Sequence, residues 1–438
     1  MRTALKIGLF SLLVLLLLAG TAFAGGGQEK AEKVKLVYLS KWNVGEVTQE
    51  IVNDAIEGWI EDNPTVEVER LWSGRDVNAK LMAMIQGGES PDFYDEDPNL
   101  VEESLGKAGL ALDLTPYLNS VSAHGSDKKV IDTFSKGFFE PWTFRGEINT
   151  LPIQQYITVF WYDKTLAKKW GFTKTPDTWP EFLSTSAKIK NAGLAPIVMD
   201  GGINFYNMYY FSHLADRIEG MNALLGAIYD KSGASWNKPG FLKAQQYVKE
   251  LRDKNYFIDG FEGYQFPAGQ IDWVQRKGAF LLIHTYMPIE VADAKPDDFV
   301  FGSFPFPSVP GGKGSQYDIT SQVGGVAILK STKDPDMAFD MLKRLVSMDT
   351  QTRMAQEALN VPTIVGPKLP DIFKDLEAIM AKQTGTFKDY AGGPGAFEPE
   401  YAETIMYPLN EQVLFGKLTP QQFISQLKEK SIAYWKNK

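Results

Sequence analysis

Apolar and polar residues alternate along residues 151–161 in the way that a β-strand requires. Ile153, Ile157, Val159 and Trp161 fall on alternate positions, interrupted only at Gln155, and all four are β-branched or aromatic. This composition is typical of a buried strand. The pattern therefore predicts a long central strand, which serves as the reference for the other predicted elements.

Helical signals follow this strand. Residues 165–170 predict a short amphipathic segment that ends at Gly171. Thr178 and Glu181 then have the spacing of a capping box, in which each side chain bonds the backbone N–H of the other residue. The chain thus predicts a helix that begins directly after Thr178.

The N-terminal part of the chain repeats a strand-helix order. Residues 34–39 and 65–71 predict strands, and residues 51–60 and 77–85 carry apolar positions at helical spacing. This order is typical of an α/β domain with a largely parallel sheet, whose ligands bind beyond the carboxyl ends of the strands. On that rule Trp42 and Asn43, which follow the first strand, Trp72, which follows the second, and the loop 95–99 lie near one another.

One later stretch is unusually aromatic. Residues 204–211 read NFYNMYYF. Side chains at adjacent positions of a helix do not share one face, so we expect some of these rings to face a groove or a neighbouring lobe.

Several motifs occur in a fixed order along the chain. They read GGESPDF at 87–93, KAGLALDLTPYL at 107–118, GEINTLP at 146–152 and PDTWPE at 176–181. This order resembles family 1 of the extracellular solute-binding proteins, which includes the maltose-binding-protein-like sugar-binding components of ABC importers. The resemblance extends over nearly the whole mature chain.

The resemblance implies an α/β, periplasmic-binding-protein-like fold. Two discontinuous lobes would be joined by a hinge of crossing segments, and such a hinge permits closure over a ligand. By this division, residues 34–151 and 308–348 form the N-terminal lobe. Residues 152–307 and 349–438 form the C-terminal lobe.

The resemblance also implies a binding cleft and its residues. Sugar binding requires aromatic rings for the apolar faces of the sugar and polar groups for its hydroxyls. The positions that match are Trp42, Asn43, Trp72, Glu96, Asp97, Tyr156, Tyr206, Asn207, Tyr286, Phe397 and Tyr401.

The implied function is that of the substrate-binding component of an ABC importer. It would capture a carbohydrate between its lobes and deliver it to the membrane permease, as a monomer and without cofactor, metal or catalysis. Three alternatives remain open at this point: a secreted carbohydrate-active enzyme, a binding protein for a non-sugar solute, and a chemosensory subunit.

The N-terminus predicts export. Arg2 and Lys6 precede an apolar run over residues 7–18, and small residues end at Ala24. This pattern predicts a cleavable signal peptide at 1–24, because the apolar run is shorter than the roughly 20 residues that a membrane span requires. Residues 25–33 would form a flexible tether, and the mature protein would be periplasmic or otherwise extracytoplasmic.

The amino-acid composition excludes several kinds of chemistry and makes some partners unexpected. The chain has no cysteine, which excludes disulfides, thiol nucleophiles and a lipid anchor on an N-terminal cysteine. Loss of the signal peptide removes two positive charges from the formal −9 and leaves −11, so nucleic acid is not an expected partner. Aromatic residues make up 13% of the chain, which fits a large core, stacking platforms for a sugar, or both.

Specific catalytic and metal motifs are missing from the sequence. Residues 95–99 begin like a calcium loop, but Leu100 replaces the turn glycine and Gly106 replaces the bidentate glutamate. The histidines His124, His213 and His284 lack metal-ligand spacing, and no H-E-x-x-H or G-x-S-x-G motif occurs.

Overall fold

The computed structural model describes residues 33–135, 137–383, 385–388 and 398–438, and for 385–388 only the backbone. The predicted signal peptide, residues 25–32 of the tether and Phe397 lie outside this part of the chain. Within it, no helix is both long enough and apolar enough to cross a membrane.

The strands predicted over residues 34–39, 65–71 and 151–161 are present, together with six others. In chain order they are β1 Val34–Ser40, β2 Val66–Trp72, β3 Phe93–Glu96, β4 Leu151–Asp163, β5 Ala195–Val198, β6 Gly278–His284, β7 Phe301–Phe304, β8 Asp318–Ile328 and β9 Gly385–Lys388.

The helices cover both halves of the chain. In order they are α1 Val47–Asp62, α2 Val77–Gln86, α3 Pro98–Val101, α4 Thr115–Ser120, α5 Trp179–Asn191, α6 Asn204–Glu219, α7 Ala223–Ile228, α8 Pro239–Asp253, α9 Ala268–Val274, α10 Met287–Glu290, α11 Pro335–Leu345, α12 Met348–Gln356, α13 Lys374–Met380, α14 Pro399–Tyr401, α15 Tyr407–Leu414 and α16 Pro420–Asn437.

Two long strands connect two groups of shorter ones. The order along the sheet is β2-β1-β3-β8-β4-β6-β5, with β7 also paired to β4 and β9 to β8. Residues 151–157 of β4 pair with β8, whereas residues 158–163 pair with β6 and β7. We call β4 and β8 the crossing strands. The group with β1, β2 and β3 is the first half, and the group with β5, β6 and β7 is the second half.

Each half has its own core. Two apolar clusters pack on the strands of the first half. A larger cluster, rich in aromatic rings, fills the second half. The crossing strands contribute to both cores: Ile153 belongs to a cluster of the first half, and Ile157 belongs to that of the second. The mixed α/β architecture expected from the sequence is therefore present.

The local predictions have mixed outcomes. The capping box at α5 is confirmed, with Glu181 N donating to Thr178 Oγ1 at 3.4 Å and Thr178 N donating to Glu181 Oε2 at 3.0 Å. Residues 165–170 form consecutive turns rather than a helix. The side chain of Asp163 accepts the N–H and the hydroxyl of Thr165, at 2.9 and 2.8 Å, and so fixes this stretch as a turn.

Most rings of the aromatic helix α6 are buried. Tyr206, Tyr209, Tyr210 and Phe211 are all nearly inaccessible to solvent. The helix is surrounded by protein, so rings on adjacent positions find core on different sides. We expected some rings of this helix to face a groove or a neighbouring lobe; among them the Tyr206 hydroxyl is close to Tyr286, as discussed below, and Phe205 is partly exposed.

The chain stays with the second half beyond residue 308, where the sequence analysis placed the lobe boundary. Ser308 forms a parallel bridge with Thr178 of the second half. Farther along, Gly314 N donates to Arg217 O at 3.1 Å, and a side chain at Gly314 would collide with the backbone of α6. The glycines let residues 311–314 lie directly on α6, so the return to the first half begins only with β8.

Helix α12, which lies beyond the boundary expected at residue 349, packs against α1 of the first half, where Arg353 Nη1 lies 2.9 Å from Asp54 Oδ2. Gln351 Nε2 of α12 also donates to Ile153 O of crossing strand β4 at 2.7 Å, and Val361 then bridges to Gln155. Helices α11 and α12 thus cover α1 together before the chain leaves the first half.

A buried guanidinium holds the return segment in place. Arg217 is 1% exposed, and it donates to the carbonyl oxygens of Phe306 at 3.4 Å, Gln316 at 3.4 Å and Asp318 at 3.0 Å. Burial lowers the pKa of Arg217 to about 10. Arg217 therefore fixes the chain that leads into crossing strand β8.

We expect Arg217→Met to lower the free energy of unfolding by about 2 to 4 kcal/mol, because it leaves buried carbonyls without a donor. Chemical denaturation measures this loss. The matched control is Arg353→Met, which removes surface ion pairs with Asp54 and Glu357 and should cost less than about 1 kcal/mol. Equal losses in the two variants would contradict the anchoring role.

Candidate functional site

The end of strand β1 forms one wall of the candidate site. Ser40, Lys41 and Trp42 are buried there, and Trp42 is 8% exposed. The Arg75 guanidinium lies 4.9 Å from the Trp42 ring centroid and donates to Lys41 O at 2.5 Å. The indole Nε1 of Trp42 has no hydrogen-bond partner among the described residues. This wall thus combines an aromatic ring with two cations.

Three consecutive carboxylates from the end of β3 surround the Lys41 ammonium. Lys41 Nζ bonds Asp97 Oδ1 and lies 3.2 Å from Glu96 Oε1. Asp95, behind them, accepts from Ser40 Oγ at 2.8 Å. Because parallel strands β1 and β3 are adjacent, their carboxyl ends bring these residues together.

This cluster has more carboxylates than cations, and the imbalance shifts the pKa values of its members. Burial acts to lower the pKa of Lys41, but the charges of Asp97, Glu96 and Asp95 outweigh it and raise that pKa above its usual value. Burial also raises the pKa of Asp95 to about 6, although Lys41 and Ser40 oppose the shift. The pKa of Glu96 is raised for the same reason. One lysine is thus shared among three acids.

Tyrosines form the opposite wall. Tyr156 of β4 meets Tyr286 edge to face, with ring centroids 5.4 Å apart. The hydroxyl oxygens of Tyr206 and Tyr286 are 3.4 Å apart. Behind them, His284 stacks on Tyr286 at 5.4 Å, and its Nδ1 lies 2.9 Å from the Tyr209 hydroxyl. Tyr156 and Tyr286 remain partly exposed, so their rings can contact a ligand.

Tyr156 lies within electrostatic reach of both walls. Burial raises the pKa of Tyr156; Lys41 and Arg75 oppose this shift, and Asp97 and Glu290 add to it. The first three charges belong to the first half and Glu290 to the second. Tyr156 also lies opposite Gln322 in the β4–β8 pairing, and Gln322 Nε2 donates to Asp97 Oδ2 at 2.9 Å, so the two walls border one space, which we call the cleft. In the part of the chain that the structure describes, no group of histidine and acidic residues could hold a metal ion.

The model of the bacterial extracellular solute-binding proteins matches residues 41–352. The chain belongs to this family. The resemblance seen in the motifs is thereby confirmed. Members of this family bind solutes rather than catalyse reactions, so the binding protein is not an enzyme, and its location is extracytoplasmic.

Individual relatives are distant but cover most of the binding protein. The diacetylchitobiose binding protein NgcE of Streptomyces coelicolor is 25% identical over 346 residues, covering 77% of this chain and 71% of that protein. The multiple sugar-binding protein of Streptococcus mutans is 22% identical, covering 75% of this chain and 74% of that protein.

A solved structure agrees with the fold. A chitin oligosaccharide binding protein superposes with a TM-score of 0.73 at 20% identity, covering 92% of this chain and 100% of the other. The periplasmic-binding-protein-like architecture is thus confirmed.

The cleft of the binding protein contains most, but not all, of the residues selected from the sequence. Trp42, Glu96, Asp97, Tyr156, Tyr206 and Tyr286 lie on its walls. Asn43 and Trp72 lie at its edge: Asn43 Nδ2 donates to Glu46 Oε1 at 2.7 Å, and the Trp72 ring packs 5.9 Å from that of Tyr38.

Two selected residues lie in the core instead. The Asn207 side chain is fully buried and donates to Gly201 O at 2.8 Å. Tyr401 is fully buried, bonds Ser431 through its hydroxyl and meets Tyr434 at 5.3 Å. Neither side chain is accessible to solvent in this structure, because the surrounding helices bury both.

The sequence analysis missed several cleft residues. Lys41 directly precedes the selected Trp42, but nothing in the sequence showed that its ammonium would turn back to β3. Gln322 Nε2 donates to Asp97 Oδ2 at 2.9 Å from crossing strand β8. Glu290 follows Tyr286 by one helical turn, a spacing that could have identified it.

The raised pKa of Asp95 has a consequence for stability. Its folded value, about 6, lies above the usual 3.8, so the stability linked to this carboxyl is full below the usual value and is lost as pH rises through the folded one. We expect this part of the free energy of unfolding to fall by about 1 kcal/mol between about pH 5 and about pH 7.

Denaturation with urea at the two pH values measures this loss. Asp95→Asn should remove it, and the exposed control Asp127→Asn should keep it. An identical pH dependence in all three proteins would contradict the role assigned to Asp95.

Proposed function

We propose that the protein is the substrate-binding component of an ABC importer and that its ligand is a carbohydrate. One observation carries the proposal: a tyrosine wall and a wall of carboxylates, lysine and tryptophan face each other where two halves meet. The names of the relatives, which include binders of diacetylchitobiose and of multiple sugars, support the same ligand class.

The chemistry of the two walls suits a sugar. Flat apolar faces of a pyranose can rest on Tyr156 and Tyr286, while its hydroxyls donate to the carboxylates of Glu96 and Asp97. The Trp42 Nε1–H and the Tyr206 hydroxyl offer further hydrogen bonds. Such a site binds polar ligands by many modest contacts and needs no covalent step.

The mechanism that we propose is closure of two lobes. The first half, with α1 to α4, α11 and α12, would form one lobe, and the second half would form the other. A ligand that touches both walls favours the closed state by its greater affinity for that state. The crossing strands are the hinge in this proposal.

The remaining parts of the proposal concern the cellular setting. A cleavable signal peptide at residues 1–24 would export the chain, which would work as a monomer and hand its ligand to the membrane subunits of the importer. The excess of acidic residues argues against nucleic acid as a partner.

Thermal unfolding of the mature protein against a panel of mono- and oligosaccharides tests the ligand class. A ligand at 100 times its Kd adds about 2.7 kcal/mol of stability, which shows as a rise in Tm. A ligand recovered unaltered supports the proposal. No stabilisation by any sugar, with stabilisation by another solute, would overturn the carbohydrate assignment.

Tyr286→Ala tests the tyrosine wall. We expect the affinity for the sugar identified in the panel to weaken by about 1 to 3 kcal/mol, because a stacking face is lost. Titration calorimetry measures the change. The control is Tyr229→Ala, which removes a tyrosine that is 46% exposed in the second half and should leave affinity unaltered. Unchanged affinity in Tyr286→Ala would place the ligand elsewhere.

A further inference from the structure

Two buried side chains support the tyrosine wall of the cleft from behind. Tyr209 of α6 and His284, the last residue of β6, are each 1% exposed. His284 Nδ1 lies 2.9 Å from the Tyr209 hydroxyl oxygen, within hydrogen-bond distance. Burial keeps both side chains away from a ligand in the cleft, yet each of them packs on a ring of the wall.

His284 sets the plane of the Tyr286 ring. The two rings are stacked, with centroids 5.4 Å apart and planes 26° from parallel. The backbone between them is tied to crossing strand β4, because Ile157 N donates to Thr285 Oγ1 at 3.2 Å. A sugar that stacks on Tyr286 must therefore use the ring face opposite His284.

Tyr209 supports a second ring of the wall in the same way. It stacks on Tyr206, with centroids 5.7 Å apart and planes 28° from parallel. The hydroxyl oxygens of Tyr206 and Tyr286 are 3.4 Å apart. The four side chains thus form a closed circuit of contacts, in which the Tyr209–His284 hydrogen bond joins the two buried members.

The angle between Tyr156 and Tyr286 makes this orientation important for binding. Their ring planes are 77° apart, with centroids at 5.4 Å, and both residues are partly exposed. The two rings therefore form a corner, and a sugar in contact with both must match the angle between them. Rotation of the Tyr286 ring would open that corner and remove one of the two contacts.

We propose that Tyr209 and His284 are positioning residues for ligand binding, whose hydrogen bond holds the Tyr286 ring in the orientation that a sugar requires. This assignment rests on the proposed function and adds two residues that do not themselves touch the ligand. Binding sites keep their geometry when packing and hydrogen bonds lock the side chains behind the contact residues. A ligand then loses less free energy to ordering the Tyr286 ring than it would lose to a mobile one.

Tyr209→Phe tests this role, because it removes the hydroxyl and keeps the stacked rings. We expect the Kd of the sugar identified in the panel to rise about three- to tenfold, the range expected for one lost hydrogen bond. Titration calorimetry measures the change. The matched control is Tyr256→Phe, which removes the hydroxyl of another buried tyrosine of the second half, bonded to Leu183 O at 3.4 Å, and should leave Kd unchanged.

A double-mutant cycle with Tyr286→Ala separates positioning from a general loss of structure. If Tyr209 acts through Tyr286, Tyr209→Phe should change Kd by less than about twofold once the Tyr286 ring is absent. His284→Phe keeps a ring that can stack but lacks the ring nitrogen. It should therefore reproduce the effect of Tyr209→Phe with and without the Tyr286 ring.

The outcomes distinguish this role from the proposed function. An unchanged Kd in Tyr209→Phe, or an equal rise in Kd with and without the Tyr286 ring, overturns the positioning role and leaves carbohydrate binding intact. If no sugar of the panel binds the unaltered protein, the proposed function fails, and the positioning role fails with it.

Discussion

The antiparallel pairing of β4 with β8 is the constraint on which the remaining structure depends. Residues 151–157 pair with residues 321–326, and the outer ends of the same strands continue into different groups of strands. A backbone ladder of this kind satisfies its own N–H and C=O groups. It can therefore pass between two cores without belonging wholly to either, and each half can pack independently around its own apolar clusters.

The same ladder delivers polar side chains to the cleft. Tyr156 lies directly opposite Gln322 in the register, so the two side chains share one face of the pair. Gln322 bonds Asp97 of the first half at 2.9 Å, while Tyr156 meets Tyr286 of the second. A shift of one residue in this register would turn both side chains away. The bulge between Pro152 and Gln154 lies just before this point and helps set the register.

Local sequence patterns predicted many elements of this fold. The features that they did not predict depend on contacts between residues far apart in the chain. The alternation through Ile153 and Trp161 predicted β4, and the capping box predicted the start of α5, because both signals involve neighbouring residues. The placement of residues 308–317 depended on Arg217, whose three carbonyl partners are roughly a hundred residues away along the chain. No local pattern encodes such a contact, so the sequence alone did not show that this segment packs on α6.

The residues of the candidate site show the same contrast between local sequence signals and long-range contacts. Trp42, Glu96 and Asp97 could be selected because they follow strands whose carboxyl ends meet. Tyr401 and Asn207 were selected by motif position, yet the packing of α14, α15 and α16 encloses them. Lys41 was missed because its role follows from the adjacency of β1 and β3 rather than from its sequence neighbours.

The carboxylates of the two walls have different hydrogen-bond and ion-pair partners. This difference is relevant to closure of the lobes. In the first half, Lys41 already neutralises part of the Asp95 to Asp97 cluster, so that wall is largely complete without ligand. In the second half, Glu290 is exposed to solvent, and the buried Asp200 accepts the backbone N–H of Gly269 at 2.5 Å. A ligand that contacts the rings there, and also touches the first wall, gains most when both walls approach it. Differential affinity of this kind is what a binding protein needs to couple capture to closure.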